Sequence, residues 1–286
     1  MSLLARVQAC QRWQPEAYRP WIIDGQGMGY LRHELAERLK DFTNVFLVDD
    51  KAVRLAPGLA DFESRTAAVD EVVQQLVAAG EIERWRGEFY AVTRRWGDPP
   101  LMILDRGAVP DFGVRGFGVH MNGYVERADG LHLWVGKRAM NKATAPGALD
   151  HLVAGGQPHG IGIRENLIKE CAEEADIPRA LAEQAEPAGA VCYRCERPEG
   201  LRDDVAFCYD LALPEDFEPN NTDGEVDSFS LWPIEEVVAR MAATTDFKFN
   251  VNLVNIHFLV RRGLLTPDAP DYQAILEHFW LDEAPG

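Results

Sequence analysis

Apolar residues along this chain follow two rhythms, one recurring at every second position and one at helical spacing, and their order predicts an alternation of strands and helices. From Trp21 the string WIIDGQGMGYLRHELAERLKDFTNVFLV predicts strand, turn, helix and strand. Asp24-Gly25 separates two extended pieces, Leu31, Leu35, Ala36 and Leu39 recur at helical spacing, and VFLV is extended again. A second helix is expected from about Ser64 to Ala79, where Ala68, Val69, Val72, Val73, Leu76 and Val77 make an apolar stripe that Gly80 stops. GEFYAVT and PLMILDR read as strands around the turn Gly97-Asp98-Pro99-Pro100. Together these elements predict a small α/β unit over residues 1–110, followed by a second unit over 111–286.

Past Pro110 the rhythm is harder to follow. FGVRGFGVHMNGY is rich in glycine but lacks the following helix that a phosphate-cradling loop needs, so it reads as a turn between units. LHLWVGKRA alternates as a strand, and the turn formers of NKATAPGALDHLVAGG read as a loop. In GIRENLIKECAEEADIP, Leu167, Ile168, Cys171, Ala172 and Ala175 lie on one arc of a helix. Gly162 can cap its start and Pro178 ends it. Glu170, Glu173 and Glu174 then converge one turn apart on the other face, with Asn166 beside them.

Charge changes the meaning of that face. The chain carries 46 acidic against 29 basic side chains, a formal charge of -17, so its field repels nucleic acid and anionic lipid. A phosphate-bearing substrate would be repelled too, unless a metal ion or a local basic patch overrides the global sign. Three carboxylates on neighbouring turns repel by about 0.2–0.5 kcal/mol per pair. A hard divalent cation such as Mg²⁺ or Mn²⁺ would offset this, whereas a solvated acidic face is the plain alternative, glutamate being a good helix former. Lys137, Arg138 and Lys142 form the basic cluster nearest in sequence.

The composition, 47% apolar and 26% charged, is that of a globular protein rather than a disordered one. Five cysteines, Cys10, Cys171, Cys192, Cys195 and Cys208, are unevenly spaced, which argues for reduced thiols. The CxxC of Cys192 and Cys195 has no second pair to complete a zinc site and reads as a strand or turn. With no signal-like apolar run and no span of membrane length, a cytoplasmic protein is expected.

AGGQPHGIGIRENLIKECAEEADI resembles the Nudix box, G-x5-E-x7-R-E-U-x-E-E-x-G-U with U aliphatic. Gly155 takes the opening glycine, Glu170 the glutamate after the basic position, Glu173 and Glu174 the paired glutamates, and Ile177 the last aliphatic position. Ile161, Lys169 and Asp176 depart from it, standing where glutamate, arginine and glycine are usual, and Cys171 fills an aliphatic position. The segments RWRGEFYAV, FGVRGFGVHMNGYV, KRAMNKATAPGALDHLVAGG, DGEVDSFSLWPIEEV and FKFNVNLVNIHFLVRRGLL further resemble a Nudix subgroup with an extra N-terminal domain, related to a region fused to thiamine pyrophosphokinase in fungi.

The resemblance implies a mixed sheet sandwiched between helices, preceded by the small α/β domain, and metal-dependent hydrolysis of a diphosphate bond. For this subgroup it suggests a thiamine-diphosphate-like substrate; a homodimer is one assembly open to the chain. Glu170, Glu173 and Glu174 become the expected metal ligands and catalytic groups, and Glu225 a further ligand or base from a loop. Arg138, Lys142, Gly155, Gly156, Lys248 and Asn250 become the substrate-binding set, Arg138 gripping the terminal phosphate with its planar fork. His120 and Asn122 read more readily as hydrogen-bonded structural groups. Competing readings are a nucleoside-diphosphate-X hydrolase and a non-catalytic sensor of a phosphorylated metabolite. An isoprenoid diphosphate isomerase would need a reactive cysteine, and Cys171 faces the core.

Overall fold

The computed structural model describes residues 2–142 and 144–279. Helix α1 (Leu3–Ala9), capped by the Ser2 hydroxyl, precedes a sheet of β1 (Tyr18–Ile23), β2 (Gln26–Arg32), β3 (Phe46–Val48) and β4 (Val53–Leu55), with the short helix α2 (His33–Arg38) between β2 and β3. The strand order is β2-β1-β4-β3, and only β1 and β4 run parallel. Helix α3 (Phe62–Ala78) begins two residues before the expected Ser64 because Asp61 and Ser64 form a reciprocal cap, Asp61 Oδ1 accepting from Ser64 N at 2.7 Å. Its stripe of Val69, Val72, Val73 and Leu76 is buried with Trp21, Leu31 and Leu39. The hairpin β5 (Phe89–Val92) and β6 (Met102–Asp105), then α4 (Val109–Phe112), complete this smaller unit.

The larger sheet contains β7 (Arg115–Arg127), β8 (Gly130–Arg138), β9 (Leu149–Asp150) and β10 (Val153–Gly156). After α5 (Ile163–Ala175) and the short α6 (Arg179–Ala182) come β11 (Glu186–Arg197), β12 (Gly200–Ala212) and β13 (Val226–Pro233). The chain then runs through α7 (Ile234–Ala243), α8 (Phe249–Arg261) and α9 (Tyr272–Glu277). The order β11-β12-β7-β8-β13, with β10 on β7 and β9 on β8, makes a mixed sheet. Helix α5 buries Leu167 and Cys171 against Val119 and Met121 on one face, while α8 buries Val254 and Phe258 with Cys208 on the other. This is the sandwich implied above.

The glycine-rich stretch is not a turn but β7, the strand that pairs with β12, β8 and β10. Covered on both faces, it has no alternation to betray it. Its glycines answer to close neighbours instead: a Cβ at Gly118 would lie 2.9 Å from the Gly155 carbonyl oxygen, and one at Gly123 2.2 Å from the Leu152 side chain. Likewise, the stretch read as one loop contains β9 and β10. Helix α1 does not join the smaller unit's core: Val7 and Cys10 are buried with Met241, Val254 and Phe258, and Arg6 Nε donates to the Met241 carbonyl at 2.7 Å.

Asp176, standing where the Nudix pattern has glycine, ends α5 in the left-handed conformation at φ 53°. A side chain there is strained, and a negative charge at a helix C-terminus is unfavourable. Asp176→Gly is expected to raise stability by about 0.5–1 kcal/mol, seen as a higher denaturant midpoint at unchanged slope.

Candidate active site

A cleft of about 700 Å³ lies where the glycines of β7 and β10 leave the sheet bare, between the carboxylate face of α5, the first turn of α8, and the side chains Tyr90 and Arg106 of the smaller unit. Gly155 and Gly156 line it, and neither tolerates a side chain. A Cβ at Gly155 would come within 2.2 Å of the Glu170 carboxyl carbon, and one at Gly156 within 1.6 Å of the Tyr90 hydroxyl.

The apolar arc of α5 packs inward, which turns its glutamates towards β10. Glu170 lies over Gly155 and lines the cleft; burial raises its pKa, opposed by Lys169, whose Nζ is 3.3 Å from Oε1. Glu174 is buried beneath β10, its Oε2 accepting from Ala154 N at 2.8 Å, and burial pushes its pKa well above the usual glutamate range. Glu173 is half-exposed and ion-paired with Lys169 at 2.6 Å. The three are therefore graded in depth rather than drawn to a point, and lysine at the arginine position spans two of them. An incompletely neutralised set of hard carboxylate oxygens against a cleft fits a divalent cation.

Glu225, in the loop before β13, forms a close ion pair with Lys142, and both line the cleft. Burial alone would raise the Glu225 pKa, but the hydrogen bond and charge of Lys142 outweigh it and hold the group below its usual value. Arg138 also reaches the cleft wall, yet its fork is not open as the sequence suggested. Nη1 donates to Asp150 Oδ2 at 2.7 Å, while Nε and Nη2 donate to the Thr144 carbonyl at 3.1 and 2.9 Å. Lys248, the residue before α8, stands 3.5 Å from the same carboxylate, and Asn250 Nδ2 donates to the Tyr193 hydroxyl at 3.1 Å.

Asp150 and His151 escaped sequence reasoning because they sit in a stretch of turn formers whose short strands give no periodic signal. Tyr90, Arg106 and Arg202 escaped it because nothing local links them to α5. Among the described residues, His120, Asp150 and His151 are the one set of three such side chains whose donor atoms lie within 4.8 Å of one another. Two cations already balance Asp150, so this set does not fit a metal ion. It reads as a buried hydrogen-bonded group, His120 Nδ1 lying 3.1 Å from His151 Nδ1. Burial holds both imidazoles neutral, His151 down to about 4.

Glu81, Glu83, Asp111 and Glu199 also line the cleft. Burial pushes the Asp111 carboxyl up to about 7, Glu83 and Glu199 adding to the effect. Because its folded pKa is raised, its stabilising contribution is full below the ordinary aspartate range and is lost as pH climbs to about 7. Asp111→Asn is expected to stabilise the protein by on the order of 1–3 kcal/mol at pH 8, with the gain vanishing near pH 4. Denaturant midpoints at both pH values measure it.

A family model described as a domain of unknown function (DUF4743) matches residues 2–116. Over 278 residues the chain is 43% identical to the protein named Nudix hydrolase 20, chloroplastic, of Arabidopsis thaliana, covering 93% of this chain and 74% of that one. Nudix hydrolase 24, chloroplastic, of the same plant is 43% identical over 275 residues, covering 95% and 75% respectively. An uncharacterised protein of Saccharomyces cerevisiae is 30% identical over 250 residues, covering 81% and 72%. No helix among the described residues is long and apolar enough to cross a membrane.

Proposed function

The chain belongs to the Nudix hydrolase family, and from that premise we propose that it hydrolyses the diphosphate linkage of a thiamine-diphosphate-like compound with magnesium as its ion. The observation that carries this reading is Glu170 lying over Gly155 in the same cleft as the cations Lys142 and Lys248. In this reading residues 111–286 form the catalytic unit, overlooked by residues 1–110.

Glu170, Glu173 and Glu174 would hold magnesium or manganese, which when bound supplies positive charge to phosphoryl oxygens and acidifies a water. Lys142 and Lys248 act as point charges on the diphosphate. Glu225, kept ionised by Lys142, is a carboxylate able to serve as a further ligand or to accept a hydrogen bond from a water. Gly155 and Gly156 leave room for the phosphates, and Asn250, anchored on Tyr193, shapes the wall beside them. Arg138 acts through Asp150, fixing the wall from which Lys248 projects. The carboxylates Glu83, Asp111 and Glu199 that also line the cleft suit a cationic head and support a thiamine-like group over a nucleoside.

Release of phosphate or monophosphate should be followed across thiamine diphosphate and its oxidised analogues, ADP-ribose, NADH and nucleoside triphosphates, with magnesium and with a chelator. The thiamine analogues are expected to show the highest kcat/KM, with turnover lost on chelation. A preference for nucleoside compounds would overturn the substrate. Turnover that persists in chelator would overturn the mechanism, and metal-dependent binding without turnover would make the protein a sensor.

A further inference from the structure

The cleft has a wall that the carboxylate helix does not explain. Arg106 follows β6 in the smaller unit, yet its side chain lines the cleft and its charge acts on both Glu170 and Glu225. Its Nη1 is bound to Glu88 Oε2 of its own unit at 2.6 Å, and its guanidinium lies 5.8 Å from the Tyr90 ring. Arg202 of β12 lines the same cleft, with Nε bound to Asp204 Oδ2 at 2.8 Å. Each arginine thus meets its carboxylate through one nitrogen, Nη1 of Arg106 and Nε of Arg202. Neither arginine is occluded, their side chains being 43% and 29% exposed. The two feel each other's charge, and both act on the phenol of Tyr90.

Two guanidinium groups facing one cavity repel unless an anion lies between them. Neither is needed to dock the units, since each has its carboxylate within its own unit. We propose that Arg106 and Arg202 form an anion subsite split between the two units, which binds the diphosphate oxygens of the substrate in the cleft that Glu170 also lines. This rests on the hydrolase reading above and makes Arg106 a specificity residue contributed by the smaller unit. Tyr90 sets its position, for the phenol is wedged against Gly156 and the Arg106 guanidinium lies over its ring.

The test uses the full chain, Arg106→Ala and Arg106→Gln as two truncations, and Arg106→Lys as the conservative variant. With the hydrolysed substrate, KM is expected to rise about 10-fold or more in both truncations while kcat changes less than about 3-fold, and lysine to recover part of the loss. The second readout is calorimetric binding of methylenediphosphonate, whose P–C–P bridge resists hydrolysis, in the presence of magnesium. Its affinity should fall about 10-fold in the truncations. In the parent chain it should slow hydrogen exchange over residues 83–111, a response absent in Arg106→Gln. Unchanged KM and unchanged affinity in both truncations, with the parent turning over normally, would overturn the subsite and leave the hydrolase reading intact. A parent that neither turns over any diphosphate nor binds methylenediphosphonate would remove the hydrolase reading and the subsite together.

Discussion

Glu174→Gln is expected to lose at least about 10²-fold in kcat while melting no lower than the parent chain. The carboxyl is buried under β10, where its oxygen accepts from Ala154 N at 2.8 Å and burial drives its pKa well upward. A glutamine oxygen can accept the same hydrogen bond, so the fold keeps its contact and loses only the charge. With metal removed, that charge is a burden: a folded pKa above the unfolded one means stability declines as pH rises past the ordinary glutamate range. The amide variant should therefore gain on the order of 1–3 kcal/mol over the parent at pH 8 in chelator, and little at pH 4. Steady-state turnover and melting at the two pH values separate the effects. Parental turnover in this variant would take the buried glutamate out of the chemistry.

Asp150→Asn should be the most damaging single change to the fold near the cleft, costing about 3–5 kcal/mol. One carboxylate serves Arg138 at 2.7 Å, Lys248 at 3.5 Å and the His151 amide at 2.9 Å. Burial opposes its ionisation, but Lys248 and Arg138 hold its pKa below the usual aspartate range. That stability is present above the ordinary aspartate value and is lost only as pH falls below it. An asparagine leaves two buried cations facing each other without a counter-charge. Combining it with Arg138→Met should restore part of the loss, and a double-mutant cycle on denaturant midpoints measures how much. Simple additivity would mean that the two side chains do not act as a pair.

How much of this was legible in the chain depends on how local the physics is. Helix α5 is legible because its capping glycine and apolar arc lie within a short stretch, and the spacing of its glutamates follows from helix geometry alone; its end comes at Asp176, two residues before the expected Pro178, which opens α6 instead. What spacing could not give is depth: Glu173 pairs outward with Lys169 while Glu174 goes under β10, a difference set by where the neighbouring strand runs. Strand β7 hides in the sequence because a strand covered on both faces carries no alternation, and its glycines answer to neighbours distant in sequence. Arg138 looked like an open fork because its partner Asp150 lies twelve residues on, across a loop. Tyr90 and Arg106 could not be connected to the site at all, since only the docking of two units brings them there.

The burial of Val7 and Cys10 among Met241, Val254 and Phe258 has a mechanical consequence. Helix α1 belongs to the larger body, the chain leaves it to build the smaller one, and it re-enters through β7, so the smaller body is moored by two ropes rather than hinged on one. Its swing is restricted, which keeps the groups it lends to the cleft at high effective concentration. A fragment cut at residue 111 would lose more than an accessory: it would uncork the hydrophobic interior beneath α8 and come out of solution.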